Sequence, residues 1–176
     1  MQALEERRTA RLLVRRMRAD DLDELDRMHR NERVMATLGG LKTREQSEEF
    51  LQRVLGYWEQ RGFGLWMIFD LDSGRFAGRG GVHPVTVEGV PEVELAYAFM
   101  PDFWRRGLAT ELAEESLRVG FDVLQLDHLV CFTLPTNQES RRVMEKVGFI
   151  YERDIVHADL PHVLYRLTAA DWRCRR

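Results

Sequence analysis

The sequence predicts an α/β domain, and three observations predict it. Between positions 93 and 124 a strand gives way to a helix across a short glycine-containing loop. Upstream, tight turns at Asp72-Ser73-Gly74 and Glu88-Gly89 separate three short apolar runs, the pattern of an antiparallel meander. Downstream, runs of strand and helix period alternate to the end of the chain. The predicted order is β, α, α, β, β, β, α, β, α, β, β, or about seven strands and four helices.

Residues 1–10 are charged and aperiodic and are expected to be frayed or loosely helical, so that one domain spans 11–176. Arg11 to Met17 reads as a strand. Asp20 or Asp21 caps a helix whose apolar face is Leu22, Leu25 and Met28. The Gly39-Gly40 pair breaks the chain. Thr43 opens a second helix with Phe50, Leu51, Val54, Leu55 and Trp58 as its buried stripe, ending at Arg61-Gly62. Leu65 to Phe69 and Phe76 to His83 form a hairpin, in which Gly78, Gly80 and Gly81 imply a bulge or a close backbone approach. Val93, Leu95, Tyr97 and Phe99 then alternate with Glu94, Ala96, Ala98 and Met100, until Pro101 ends the strand for want of a backbone donor. Ala109, Leu112, Ala113, Ser116, Leu117, Gly120, Phe121 and Leu124 repeat at helical spacing, with a polar face opposite. A strand from His128 to Leu134 follows, then a helix from Asn137 to Val147 stopped by Gly148. Strands near 149–156 and 163–167 close the domain.

A net charge of −3 gives no bulk electrostatic case for nucleic acid or an anionic membrane as partner. No apolar run approaches membrane-spanning length, and the first residues lack the apolar core of a signal peptide. Cys131 and Cys174 make no disulfide framework; Cys131 reads as a small buried hydrophobe and Cys174 as exposed. A cytoplasmic location is the expectation.

The chemistry is expected where strand meets helix. A helix start offers unpaired N–H groups and the positive end of the helix dipole. Gly107 lets backbone approach a ligand, and Arg105 and Arg106 add positive charge, so the junction suits a phosphate or pyrophosphate. The same loop is also readable as an ordinary turn with solvated arginines. No Gly-x-x-x-x-Gly-Lys-Ser/Thr is present, and no Gly-x-Gly-x-x-Gly closes a first strand, which removes the P-loop and the Rossmann fingerprint.

Pro101-Asp102-Phe103-Trp104-Arg105-Arg106-Gly107-Leu108-Ala109-Thr110, followed by Asn137-Gln138-Glu139-Ser140 and on to Gly148-Phe149, resembles the GCN5-related N-acetyltransferases (GNAT). More narrowly, it resembles the RimJ/RimL-like ribosomal-protein branch, in which Trp often stands at the position of Trp104. The resemblance spans Leu12 to Leu167. It implies a mixed, mostly antiparallel sheet splayed into a V between two parallel strands, with acetyl-CoA as co-substrate lying in the V. Backbone N–H groups of Arg105, Arg106, Gly107, Leu108, Ala109 and Thr110 would hold its pyrophosphate. The pantetheine arm would run beside Phe99 and Met100, whose N–H groups would polarise the thioester carbonyl. Asn137 and Ser140 would face the thioester end. Ser140 would serve as proton donor to the thiolate, because Met144 stands where many relatives carry a Tyr. The acceptor would be a primary amine, either a protein N-terminus or a small molecule such as an aminoglycoside, polyamine or amino acid. A non-catalytic acyl-CoA-binding module and a nucleotide-binding protein of another fold are the alternatives, and a homodimer is an arrangement common among relatives.

Strand parity puts Glu94 on a face of small side chains, which suits a general base for an amine with a pKa of about 10. A Glu paired to an arginine at a strand end fits the pattern equally. Glu92 competes with it but is expected at the strand mouth, exposed. Thr136 and Glu139 have the spacing of a capping box. Tyr57, Trp58, Phe63 and Trp66 read as core or as one wall of an acceptor cleft. His83 reads as a structural residue or a second base. His157 and His162 have no metal-ligand spacing, and no metal is expected.

Overall fold

A computed structural model describes residues 2–175. Its strands are β1 (Glu6–Arg8), β2 (Leu12–Arg16), β3 (Trp66–Asp70), β4 (Phe76–Val87), β5 (Val90–Phe99), β6 (His128–Thr133), β7 (Ile150–His157) and β8 (Leu160–Thr168). They form one eight-stranded sheet in the order β1-β2-β3-β4-β5-β6-β8-β7. Neighbours are antiparallel except β5 and β6, which run parallel. The helices are α1 (Gln2–Glu5), α2 (Leu22–His29), α3 (Glu32–Met35), α4 (Arg44–Arg61), α5 (Leu108–Arg118), α6 (Gln138–Val147) and α7 (Ala169–Cys174). The four expected helices are α2, α4, α5 and α6; α1, α3 and α7 are short additions.

Of the fray or loose helix expected over residues 1–10, the structure has a helical turn at Gln2–Glu5 but corrects the remainder. Glu6 to Arg8 pairs with β2, with Arg7 opposite Val14, and adds the eighth strand. Side chains from α5 hold it: Glu115 pairs with Arg7, and Glu111 accepts from Thr9 Oγ1 and from the Arg11 N–H. Asp21 precedes α2 without capping it; its carboxylate takes the Arg15 guanidinium and the Arg18 N–H instead. Thr43 does cap α4, in a capping box with Gln46, and Gly62 closes that helix in the left-handed region at φ 74°.

β4 and β5 are longer than the sequence suggests. Glu88 and Gly89, at φ 48° and 83°, make a two-residue turn. From it the ladder runs without interruption from Val87–Val90 to Gly78–Phe99. Primed turns of this kind match the twist of the strands they join. Gly80 supplies the expected close approach: a Cβ there would lie 2.6 Å from Leu112 Cδ2 of α5. Residues directly opposite in an antiparallel pair share a face. Thus Arg79, Gly81 and His83 lie with Ala98, Ala96 and Glu94 on one face. Gly80 lies with Tyr97 on the other, against α5. α4 lies over the first face, its Phe50 against Arg79 and its Tyr57 near His83. The core between sheet and helices is apolar; Leu12, Val14, Ile68, Leu95, Leu112, Leu117 and Leu129 are all fully buried.

Candidate active site

β5 ends at Phe99, and Pro101–Phe103 forms a single 3-10 turn. The chain then takes two left-handed residues, Arg105 at φ 60° and Gly107 at φ 75°, before entering α5. Gly107 is the N-cap, and no side chain caps the helix. The first N–H groups of α5 therefore have no intrahelical partner, as at any helix start. Arg105, Arg106 and Gly107 are exposed. A Cβ on Gly107 would meet only Arg11 Nη2, at 3.6 Å, so the backbone here is open to close approach. These are the features a diphosphate needs.

Two contacts fix the loop, and the sequence showed neither. Arg11 Nη1 donates to the Arg106 carbonyl at 2.7 Å while its Nε donates to Glu111 at 2.7 Å. Arg106 pairs with Asp70 at 3.2 Å. Asp70 sits below its ordinary pKa, through hydrogen bonds from Ser73 and the nearby Arg106. The Trp104 indole N–H donates to the Phe99 carbonyl at 2.7 Å, which leaves no donor there for a phosphate.

β5 and β6 are in register at one pair, Glu94 with Val130. Beyond it β5 continues to Phe99 and β6 to Thr133 without further pairing among the described residues, and the strands diverge. One expectation fails here. The Met100 N–H donates to the Ala77 carbonyl at 2.8 Å, toward β4, and is not available in the cleft. By strand alternation the Phe99 N–H points to the opposite edge, toward β6.

Glu94 is 9% exposed. Its Oε2 lies 3.0 Å from His83 Nε2, its cross-strand neighbour, and Oε1 takes no hydrogen bond from the described residues. The expected arginine pair belongs instead to Glu92, which is half-buried, not exposed. Its carboxylate takes Arg166 Nη2 at 2.8 Å and His128 Nε2 at 2.7 Å. Burial pushes Glu92 up, but the bonds from Arg166 and His128 outweigh it and hold the carboxyl below its ordinary pKa. Glu92 is thus committed to an ion cluster, and Glu94 is the carboxylate with a free oxygen.

Asn137, not Thr136, caps α6, so the expected capping box is absent. Asn137 Oδ1 accepts from the Ser140 N–H at 3.2 Å and its Nδ2 donates to Thr133 Oγ1 at 3.0 Å. Both ends of the amide are occupied in tying α6 to the tip of β6. Ser140 Oγ lies 3.0 Å from the Tyr97 hydroxyl, which also reaches the Ser140 carbonyl at 3.1 Å. Tyr97 read only as an apolar strand residue in the sequence, yet it bridges β5 to α6 across the cleft. Burial raises its pKa well above the ordinary value. Met144 is buried, as is Cys131, whose thiol burial pushes up.

Trp58 and Trp66 are core residues whose indoles donate to the Leu65 and Leu4 carbonyls. Tyr57 and Phe63 are half-buried. His157 and His162 pack against Phe132, the first tilted and the second edge-on. Among the described residues no group of three or more His, Cys, Asp or Glu could hold a metal ion, and no helix is long and apolar enough to cross a membrane.

A parallel pair that splits beside a helix start, in a sheet otherwise antiparallel, leaves a cleft that opens onto the exposed amides of α5. Residues 11–150 match the family described as Acetyltransferase (GNAT) domain, and the chain belongs to that family. It is 32% identical to the Bacillus subtilis (strain 168) protein YkkB over 137 residues, covering 75% of this chain and 77% of that one. Its structure superposes on an acetyltransferase from Agrobacterium tumefaciens str. C58 with a TM-score of 0.82 at 25% identity, over 94% and 95% of the two chains. It shares its fold with a ribosomal-protein-S5-alanine acetyltransferase from Vibrio fischeri, with a TM-score of 0.75 at 16% identity, over 95% and 98%.

Proposed function

We propose that the protein transfers an acetyl group from acetyl-CoA to a primary amine, by direct attack in a ternary complex with no acyl-enzyme. One observation carries this reading. Glu94 is a buried carboxylate with one oxygen held by His83 and the other unengaged, at the pair where β5 and β6 part.

The backbone from Arg105 to Thr110 binds the diphosphate, with Arg11 and Asp70 holding the loop in shape. The arm that follows runs along the open edge of β5, where the Phe99 N–H donates to the thioester oxygen as it gains charge. Glu94 Oε1 removes a proton from the incoming ammonium, because an amine with a pKa of about 10 is mostly protonated at neutral pH. The freed lone pair attacks the carbonyl, the C–N bond forms and the C–S bond breaks. Ser140, held by Tyr97 and by the Asn137 cap, stands at the sulfur end and relays to the thiolate the second proton, which the nitrogen sheds as the amide forms, so that its own hydroxyl is restored. The Trp104 and Ser140 pattern favours the RimJ/RimL-like branch and a protein N-terminal amine, with small amines as the second class of acceptor.

The test is thiol release from acetyl-CoA against a panel of peptides, amino acids, aminoglycosides and polyamines, with the product weighed by mass spectrometry. Amine-dependent thiol release and a product heavier by one acetyl group are expected. Tight binding of acetyl-CoA with no turnover on any amine would make the chain a binding module instead.

A further inference from the structure

Arg79 is the least accounted-for charge in the molecule. It is 8% exposed and lies in the middle of β4, opposite Ala98. Its Nε is buried with no hydrogen-bond partner, and no described residue makes a hydrogen bond or ion pair with its guanidinium. The compensation present is the Phe50 ring, with Cζ 4.5 Å from its centroid. A cation–π contact offsets only a small part of the cost of leaving a buried charge unpaired. The surroundings agree: burial, opposed by Glu94 and reinforced by Arg53, lowers the Arg79 pKa to about 10.

The position of this charge gives it meaning. Arg79 shares its face with Gly81 and His83, and across the ladder with Ala98, Ala96 and Glu94. Glu94 stands at one end of that face and Arg79 at the other, four residues along each strand. The residues between them, Ala96, Ala98 and Gly81, carry a methyl group or less. α4 lies above, with Phe50 over the Arg79 end and Tyr57 near the His83 end, both only half-buried. The face thus has a negative pole at the candidate base and a positive pole at an unpartnered guanidinium, with low relief between them.

From this we propose that Arg79 receives a carboxylate on the acceptor, and that the acceptor is an amine carrying a carboxylate, of the amino-acid type. This rests on the transferase reading above and narrows its acceptor. The planar fork of a guanidinium matches a carboxylate in a two-bond contact. The nearby Glu94 favours an ammonium at its own end and disfavours a dianion such as phosphate. A polycation fits poorly, because Arg79 repels its second amine. Aminoglycosides and polyamines therefore rank below zwitterionic acceptors.

The experiment pairs each amino acid in a panel with its decarboxylated amine, in two readouts on the whole chain. The first is the ligand-induced shift in melting temperature, which needs no turnover. The second is kcat and KM for acetyl transfer. The comparison protein is Arg79→Met, chosen because an apolar side chain of similar length replaces a buried charge without leaving a cavity. In the wild type, the carboxylate-bearing amine is expected to raise the melting temperature and to have a KM lower than its decarboxylated partner by about tenfold or more, the worth of a charged hydrogen bond. Arg79→Met should abolish that difference, raising KM for the carboxylate-bearing amine far more than for the decarboxylated one. Arg79→Lys, which keeps the charge but not the fork, should recover part of it. Equal behaviour of both members of every pair in the wild type, or an equal effect of Arg79→Met on both, overturns the proposal. Failure of the transferase reading shows separately, as no thiol released with any amine, whatever the melting shifts report.

Discussion

Glu94 has two oxygens with different fates, and this division decides what a substitution there will do. Oε2 is held by His83, and Oε1 is unengaged and is the atom proposed to meet the amine. Glu94→Gln keeps the shape and the link to His83 but removes the proton acceptor. It should bind acetyl-CoA as the wild type does, by calorimetry, while kcat at neutral pH falls by about a hundredfold, the usual worth of a general base. The deficit should shrink as pH rises and more of the amine is neutral; a deficit independent of pH would point to positioning alone. The sequence revealed Glu94 through strand parity, a local property. The partner His83 was also within reach. With Glu88-Gly89 as a two-residue turn, the residue numbers of opposite partners sum to 177 along the whole ladder, which pairs 83 with 94 and 79 with 98. Arg11 and Tyr97 were out of reach, since their roles depend on contacts across the fold, to residues 106 and 140.

At the level of elements, one side chain fixes where α6 begins. Asn137 closes the helix start and joins it to Thr133 at the end of β6. Asn137→Ala should cost about 1 kcal/mol of stability, the usual worth of an N-cap. It should also lower kcat with little change in acetyl-CoA affinity, because Ser140 is carried on the first turn of that helix. Chemical denaturation and steady-state kinetics would separate the two effects; loss of stability with unchanged kcat would mean that Ser140 has no part in turnover. The helix boundaries here were legible because Asn137 and Gly148 are strong local stop signals. The identity of the cap was not. Thr136 and Asn137 are both good caps, and only the position of Thr133 decides between them.

For the molecule as a whole, acid stability hangs on a histidine outside the cleft. His29 is fully buried; its Nδ1 lies 2.9 Å from Ser47 Oγ, and Nε2 has no partner. Burial, with help from Arg79 and Lys42, lowers its pKa to about 3. The folded state keeps His29 neutral while the unfolded chain protonates it near pH 6.5. Stability is therefore intact above about pH 6.5 and falls as pH drops from there toward 3, by about 1.4 kcal/mol per unit. Between pH 7 and pH 5 the wild type should lose about 2 kcal/mol more than His29→Gln, measured by urea unfolding. Equal slopes would show that other groups govern the acid limb. The general plan of the sheet was readable from the chain, but its first strand was not, because three charged residues carry no periodic signal and the carboxylates that secure them lie about 100 positions away. That strand has a practical corollary. Arg7 and Thr9 are fastened to α5, and Arg11 grips the Arg106 carbonyl two residues before that helix begins. The segment 7–11 is thus a strut of the loop that opens α5, and a fusion partner grafted ahead of it would pull on that loop, whereas a handle at the carboxyl end would leave that strut unloaded.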